Sequence, residues 1–210
     1  AYSQAAEERI QLANERRSSY GAFDGPETRP LAERCLMSFS SSGGPPMLPI
    51  LYNNHYQIVQ SPGYVMILVE MVHDVRIIRI DDQPLPDAMH RWLGDSVGHW
   101  EGDTLVFETL SLHSSENGIT IIDRTGLQLS DAARIVTRMG INADGQMQAQ
   151  MTIEDAKALT APWVVTKQYR KLPEGTRVFD YACNENNRNP IDPNTGWTYT
   201  IGTDGEIIDI

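Results

Sequence analysis

The chain has 210 residues, 40% of them hydrophobic, enough to bury roughly 70% of the unfolded surface around one core, so a single domain spanning residues 1–210 is expected. A net charge of −11 and a pI near 4.8 disfavour partners that are themselves polyanions, because nucleic-acid binders carry a basic footprint. Neither nucleic acid nor an anionic membrane is an expected partner.

The chain begins at Ala1 without Met and holds no apolar run fit for a signal peptide, which suits a mature exported protein or a trimmed chain. Residues 4–19, QAAEERIQLANERRSS, have helix-forming composition with Ala5, Ile10 and Leu12 as apolar anchors, and predict a surface helix or arm. From Tyr20 to Pro49 Gly, Pro and Ser dominate, with Gly43-Gly44-Pro45-Pro46 the strongest punctuation, so residues 1–49 read as a helix followed by a wrapping loop. Cys35 and Cys183 lie too far apart for a metal motif. In an exported protein they are expected to close a disulfide loop of about 150 residues, contributing about 4 to 5 kcal/mol on chain-entropy grounds. Two separate buried thiols are the alternative.

Tyr56 to Gln60 reads as a strand, and Pro62-Gly63 as the turn into the most apolar stretch of the chain, Tyr64 to Ile80, YVMILVEMVHDVRIIRI. Four ionisable groups in its second half, each costing roughly 2.5 to 3.5 kcal/mol at a bilayer centre, exclude membrane insertion. Its β-branched content predicts one long strand, with Tyr64, Met66, Leu68, Glu70, Val72, Asp74 and Arg76 sharing a face and His73 on the other. A bulge near Val72 would instead bring His73 round to Glu70.

Residues 83–98 are broken by Pro84, Pro86, Gly94 and Gly98 and read as a lid or crossover loop. A tight turn at Glu101-Gly102-Asp103 then joins a strand ending in Trp100 to one beginning at Thr104. Ile119 to Asp123, Ala133 to Ile141, Gln146 to Ile153, Val164 to Lys171 and Arg177 to Cys183 are strand-like, and Asn142-Ala143-Asp144-Gly145 is a hairpin turn. Asp155 to Pro162 reads as a short helical turn, and residues 184–210 as irregular C-terminal cover. The expected fold is all-β: an antiparallel up-and-down, lipocalin-like barrel of about eight strands with room for one small ligand.

With HWEGDTLVFET, YNNHYQIVQ, EMVHDVRII and YACNEN taken together, the chain resembles a family of exported bacterial proteins that carry a W-x-GDS-x-G-x-WEGDTLVV-x-T core. The resemblance runs from about Cys35 to Asn186, through Asp95-Ser96 and Trp100-Glu101-Gly102-Asp103. It departs at His99, where many relatives carry Arg, and between Leu110 and Glu116. It implies an exported all-β domain, periplasmic or secreted, and no particular activity.

Ionisable groups inside a barrel are costly unless paired, so Glu70, Asp74 and Arg76 mark the first candidate site, with a structural ion pair as the alternative. His73 beside Asp74 and His99 beside Glu101 are candidates for proton transfer; His55, His90 and His113 rank below them. The expected catalytic set is Glu70, His73, Arg76, His99 and Tyr56, with Asn53, Met66, Leu68, Asp74, Trp92 and Trp100 binding substrate, and Tyr52 a further ligand-facing aromatic. No H-x-H, H-E-x-x-H or C-x-x-C cluster, phosphate loop or G-x-S-x-G elbow occurs, so neither metal nor nucleotide cofactor is expected. The expected function is a cofactor-independent acid/base enzyme, a lyase or isomerase acting on a small hydroxylated, partly aromatic or apolar molecule. A non-catalytic small-ligand carrier and an envelope assembly module are the other classes, and a homo-oligomer stays open.

Overall fold

The computed structural model describes residues 2–19, 34–37, 44–49, 53–86, 88–113, 129–183, 200–201 and 207–208. The predicted N-terminal helix is α1, Gln4–Ser19. Ser3 caps it: the Ala6 N–H donates to Ser3 Oγ at 3.2 Å, satisfying one of the open donors of the first turn. Ser3 also anchors the helix to the rest of the chain, through its N–H to Ala158 O at 3.0 Å and its hydroxyl to Lys157 O at 2.6 Å. Ala6 is buried there, whereas most of the described side chains further along α1 stay exposed.

Eight strands form one curled, half-barrel sheet in sequential order: β1 Tyr56–Ser61, β2 Tyr64–Val69, β3 Val75–Ile80, β4 Asp95–Glu101, β5 Thr104–Leu110, β6 Arg134–Ile141, β7 Met147–Glu154 and β8 Trp163–Tyr169. Thr200–Ile201 (β9) and Ile207–Ile208 (β10) pair antiparallel as a separate ribbon, inside the tail expected to be irregular. The concave face is set by period-2 alternation. Val65, Ile67, Val69, Ile78, Phe107, Ile135, Met151 and Ile153 face inward and are almost fully buried. Met47, Leu48, Leu112 and Leu159 from the connecting segments complete that core. Along β7 the clean alternation of the sequence puts Met147, Ala149, Met151 and Ile153 inward.

The apolar run at Tyr64–Ile80 is not one strand but the hairpin of β2 and β3, which corrects the expected shared face. The chain reverses through a 3-10 turn at Met71–His73, with Val72 at φ 58° and His73 at φ 45°. The Val69 N–H to Asp74 O bond at 2.9 Å closes it, as does His73 N–H to Glu70 O at 3.2 Å. Glu70, His73 and Asp74 mark this turn, with His73 exposed at its tip; the apolar continuity misleads because β2 is apolar on both faces and Met71 and Val72 are buried within the turn itself. Consequently Met66 and Leu68, registered with Ile77 and Val75, lie on the opposite face from Arg76, which is registered with Ile67.

Among the described strands the expected all-antiparallel meander is interrupted once: β3 and β4 run parallel, with Ile78 opposite Ser96 and Ile80 opposite Gly98. The connection between β3 and β4 returns the chain to the starting end of the sheet, the long crossover that a parallel pair requires. Arg79 holds this crossover on the outer face, donating to Asp82 at 2.7 Å, to Gln83 O at 2.7 Å and to Asp95 at 2.6 and 3.2 Å. Burial pushes the Asp95 carboxyl up, but the Arg79 bonds and the Leu85 N–H outweigh it and hold it below its ordinary value.

The expected strand at Arg177–Cys183 is absent; Pro173 and Gly175 precede irregular chain in which Phe179 is exposed. Ile119–Asp123 lies outside the described residues. Cys35 and Cys183 form the expected disulfide, 148 positions apart with Cα atoms separated by 5.8 Å. No helix among the described residues is long and apolar enough to cross a membrane.

Candidate functional site at the seam of the sheet

The outermost strands, β1 and β8, are not paired with each other through the backbone. Their inward side chains meet instead. Tyr56 on β1 and Tyr169 on β8 pack edge to face with centroids 5.4 Å apart. Lys167 of β8 reaches across, its Nζ donating to the Tyr56 hydroxyl at 2.8 Å and lying 4.5 and 5.1 Å from the Tyr56 and Tyr169 ring centroids. A weaker bond from the same amine to Leu48 O, at 3.4 Å, ties the 44–49 segment to this seam.

Behind the seam sits Arg76, 3% exposed. Its guanidinium donates to Thr109 Oγ1 at 3.2 Å, and Thr109 in turn shares a 2.9 Å hydrogen bond with Ser96 Oγ. Gly44, at φ 113°, packs so closely that a Cβ there would collide with Arg76 Nη2. Desolvation is the leading influence on every ionisable group here. It pulls the Arg76 guanidinium down, opposed by Tyr56, Tyr169 and Asp74, although a guanidinium stays protonated in ordinary solution. Burial raises both tyrosine hydroxyls, keeping them neutral and able to donate. The Lys167 amine is pushed down to about 8 by burial.

Of the expected catalytic set, Tyr56 and Arg76 are brought together, with Asp74 in electrostatic reach of Arg76. Glu70 is turned to a different partner: its buried carboxylate accepts from His55 Nδ1 at 2.7 Å, while its N–H donates to His55 O at 3.0 Å. His73 is exposed in the hairpin turn. His99 lies on the outer face, next to Glu101 at 3.2 Å, and Glu101 pairs with Arg138 at 2.6 Å. Trp100 is 42% exposed at the sheet end. Trp92 stacks on His113 at 4.4 Å, beside the crossover and not at the seam. Asn53, at φ 47°, precedes β1, and Tyr52 lies outside the described residues. Among the described residues no cluster of three His, Cys, Asp or Glu could hold a metal.

Sequence reasoning missed Lys167 and Tyr169. The signal was present: Trp163, Val165, Lys167 and Tyr169 share one parity on β8, so a lysine occupied a position that alternation assigned to the core. Comparison of the chain with family models, with curated proteins and with solved structures finds no match.

Proposed function

We propose that the protein binds a small hydroxylated, partly apolar molecule at the β1–β8 seam and acts on it by acid/base chemistry, as a cofactor-independent lyase or isomerase. The observation that carries this reading is the Lys167 amine, held between two tyrosine rings and against the Tyr56 hydroxyl. An amine lowered to about 8 is a usable base near neutrality, and a tyrosine hydroxyl kept neutral by burial is the matching acid. Arg76 supplies a fixed positive field behind the pair. Proton transfer thus moves from Glu70, His73 and His99 to Lys167 and Tyr56.

The disulfide is in keeping with an exported, periplasmic or secreted protein, as is the resemblance to the exported family with the W-x-GDS-x-G-x-WEGDTLVV-x-T core. A non-catalytic carrier is the second reading, favoured by the enclosure of Arg76 beneath Gly44. Saturation-transfer NMR with phenol and 3-hydroxybutanoate tests whether a site for hydroxylated molecules exists. Binding by the wild type that weakens at least tenfold in Lys167→Met supports the seam; no binding of either probe, or equal binding by the variant, rejects it.

A further inference from the structure

The sequence holds three lysines against fourteen arginines. Lys157 is an exposed surface residue paired with Asp131 at 2.6 Å, and Lys171 is exposed beyond the end of β8. Lys167 alone among them is partly buried and flanked by aromatic rings. A lysine selected as a simple positive charge would be expected on the surface, where its ammonium is hydrated; one enclosed by tyrosines gives up that hydration.

From this placement we propose that Lys167 forms a covalent imine with a small aldehyde or ketone whose body is aromatic or apolar. The inference rests on the seam being the binding site proposed above and deepens it by naming a β-hydroxy carbonyl compound as the substrate class. The neutral Nζ attacks the carbonyl carbon, a C–N bond forms, and the carbonyl π electrons move to oxygen, which takes a proton from the Tyr56 hydroxyl 2.8 Å from the amine. Tyr56 recovers a proton from the nitrogen. The Tyr56 hydroxyl then protonates the carbinolamine oxygen, and cleavage of the C–O bond releases water and leaves the iminium facing the Tyr56 phenolate. Amine and carbonyl become imine and water, with no oxidant or reductant consumed. The iminium is an electron sink: the Tyr56 oxygen removes the β-hydroxyl proton, the bond between the α and β carbons breaks, the β carbon leaves as a carbonyl product and the bonding pair moves into the iminium to give an enamine. Tyr56 returns that proton to the enamine carbon, and addition of water to the resulting iminium releases the second carbonyl product and restores the amine, so lyase chemistry needs no cofactor. The two rings offer apolar faces for the substrate body.

The lowered amine supports the same assignment. At pH 7 a lysine near 8 has about 300 times more neutral amine than one at 10.5.

Reductive trapping of the full-length, disulfide-intact protein with benzaldehyde and sodium cyanoborohydride at pH 7, followed by peptide mass mapping, tests the imine. Benzylation of Lys167 at least tenfold faster than of Lys157 and Lys171, with the preference lost in urea, is the expected result. Equal or slower labelling of Lys167 overturns it. Benzaldehyde binding measured by NMR in the Lys167→Arg variant, which keeps the charge but forms no imine, separates the two levels. Binding without selective labelling of the wild type rejects the imine and leaves the seam site standing; absence of both rejects the imine and the site together.

Discussion

Lys167 Nζ and the Tyr56 hydroxyl, 2.8 Å apart, join the last strand of the sheet to the first, where no backbone ladder does. Side chains closing a sheet in this way place a buried amine at a strand edge, and the pH dependence of stability follows from it. Below pH 8 the folded protein carries the desolvation cost of the ammonium. Between about 8 and 10.5 the unfolded chain keeps a proton that the folded chain has lost, so this group makes stability rise with pH. The two tyrosines, raised by burial, act in the opposite sense once the unfolded chain ionises them near 10. Lys167→Met removes the lysine contribution, so its melting temperature should exceed that of the wild type most at pH 7 and progressively less towards pH 10. A constant difference across that range would contradict the buried-amine assignment.

The Cys35–Cys183 bond closes a 148-residue separation, and a loop of that size is worth about 5 kcal/mol on chain-entropy grounds. The double variant Cys35→Ser/Cys183→Ser should lose several kcal/mol in urea unfolding. Alkylation of the wild type before reduction should add no label, and after reduction two; label in the unreduced protein disproves the bridge.

Gly44 adopts φ 113° directly against the Arg76 guanidinium, a conformation that an L side chain reaches only with strain of about 1 to 3 kcal/mol. Gly44→Ala should lower the urea midpoint accordingly, while Gly145→Ala, with open space around its Cβ position, isolates the strain of positive φ from the collision. Equal losses in the two variants would show that Arg76 moves aside freely.

Asp155 is 4% exposed and accepts four hydrogen bonds, from Ser130 N–H at 2.6 Å, Ser130 Oγ at 2.7 Å, Lys157 N–H at 3.0 Å and Ala158 N–H at 3.0 Å. It fixes the turn after β7 on which α1 docks. Each buried donor left without an acceptor costs about 1 to 3 kcal/mol, so Asp155→Ala should cost about 3 kcal/mol or more. Asp155→Asn should lose less, since it retains one acceptor oxygen. Chemical denaturation of both variants measures the difference, and an Asp155→Ala loss under 1 kcal/mol would reject this account.

Local pattern determined much of the fold. Helix-forming composition located α1, turn residues located the β1–β2, β4–β5 and β6–β7 hairpins, and alternation in β7 identified its buried face, because each depends on residues a few positions apart. The same local signals failed at Tyr64–Ile80. β2, apolar on both faces, has no period to read, and only the reversal at Met71–His73 separates Arg76 from Met66 and Leu68. Which candidates meet was a matter of tertiary structure alone. Tyr56 and Lys167 are 111 positions apart, and nothing near either residue announces the other; curling of the sheet sets them in contact. Glu70 and His99 both read as site residues, yet one is turned to His55 and the other lies on the outer face, because the partner of an ionisable side chain is fixed by strand register and face, which the neighbouring residues do not encode.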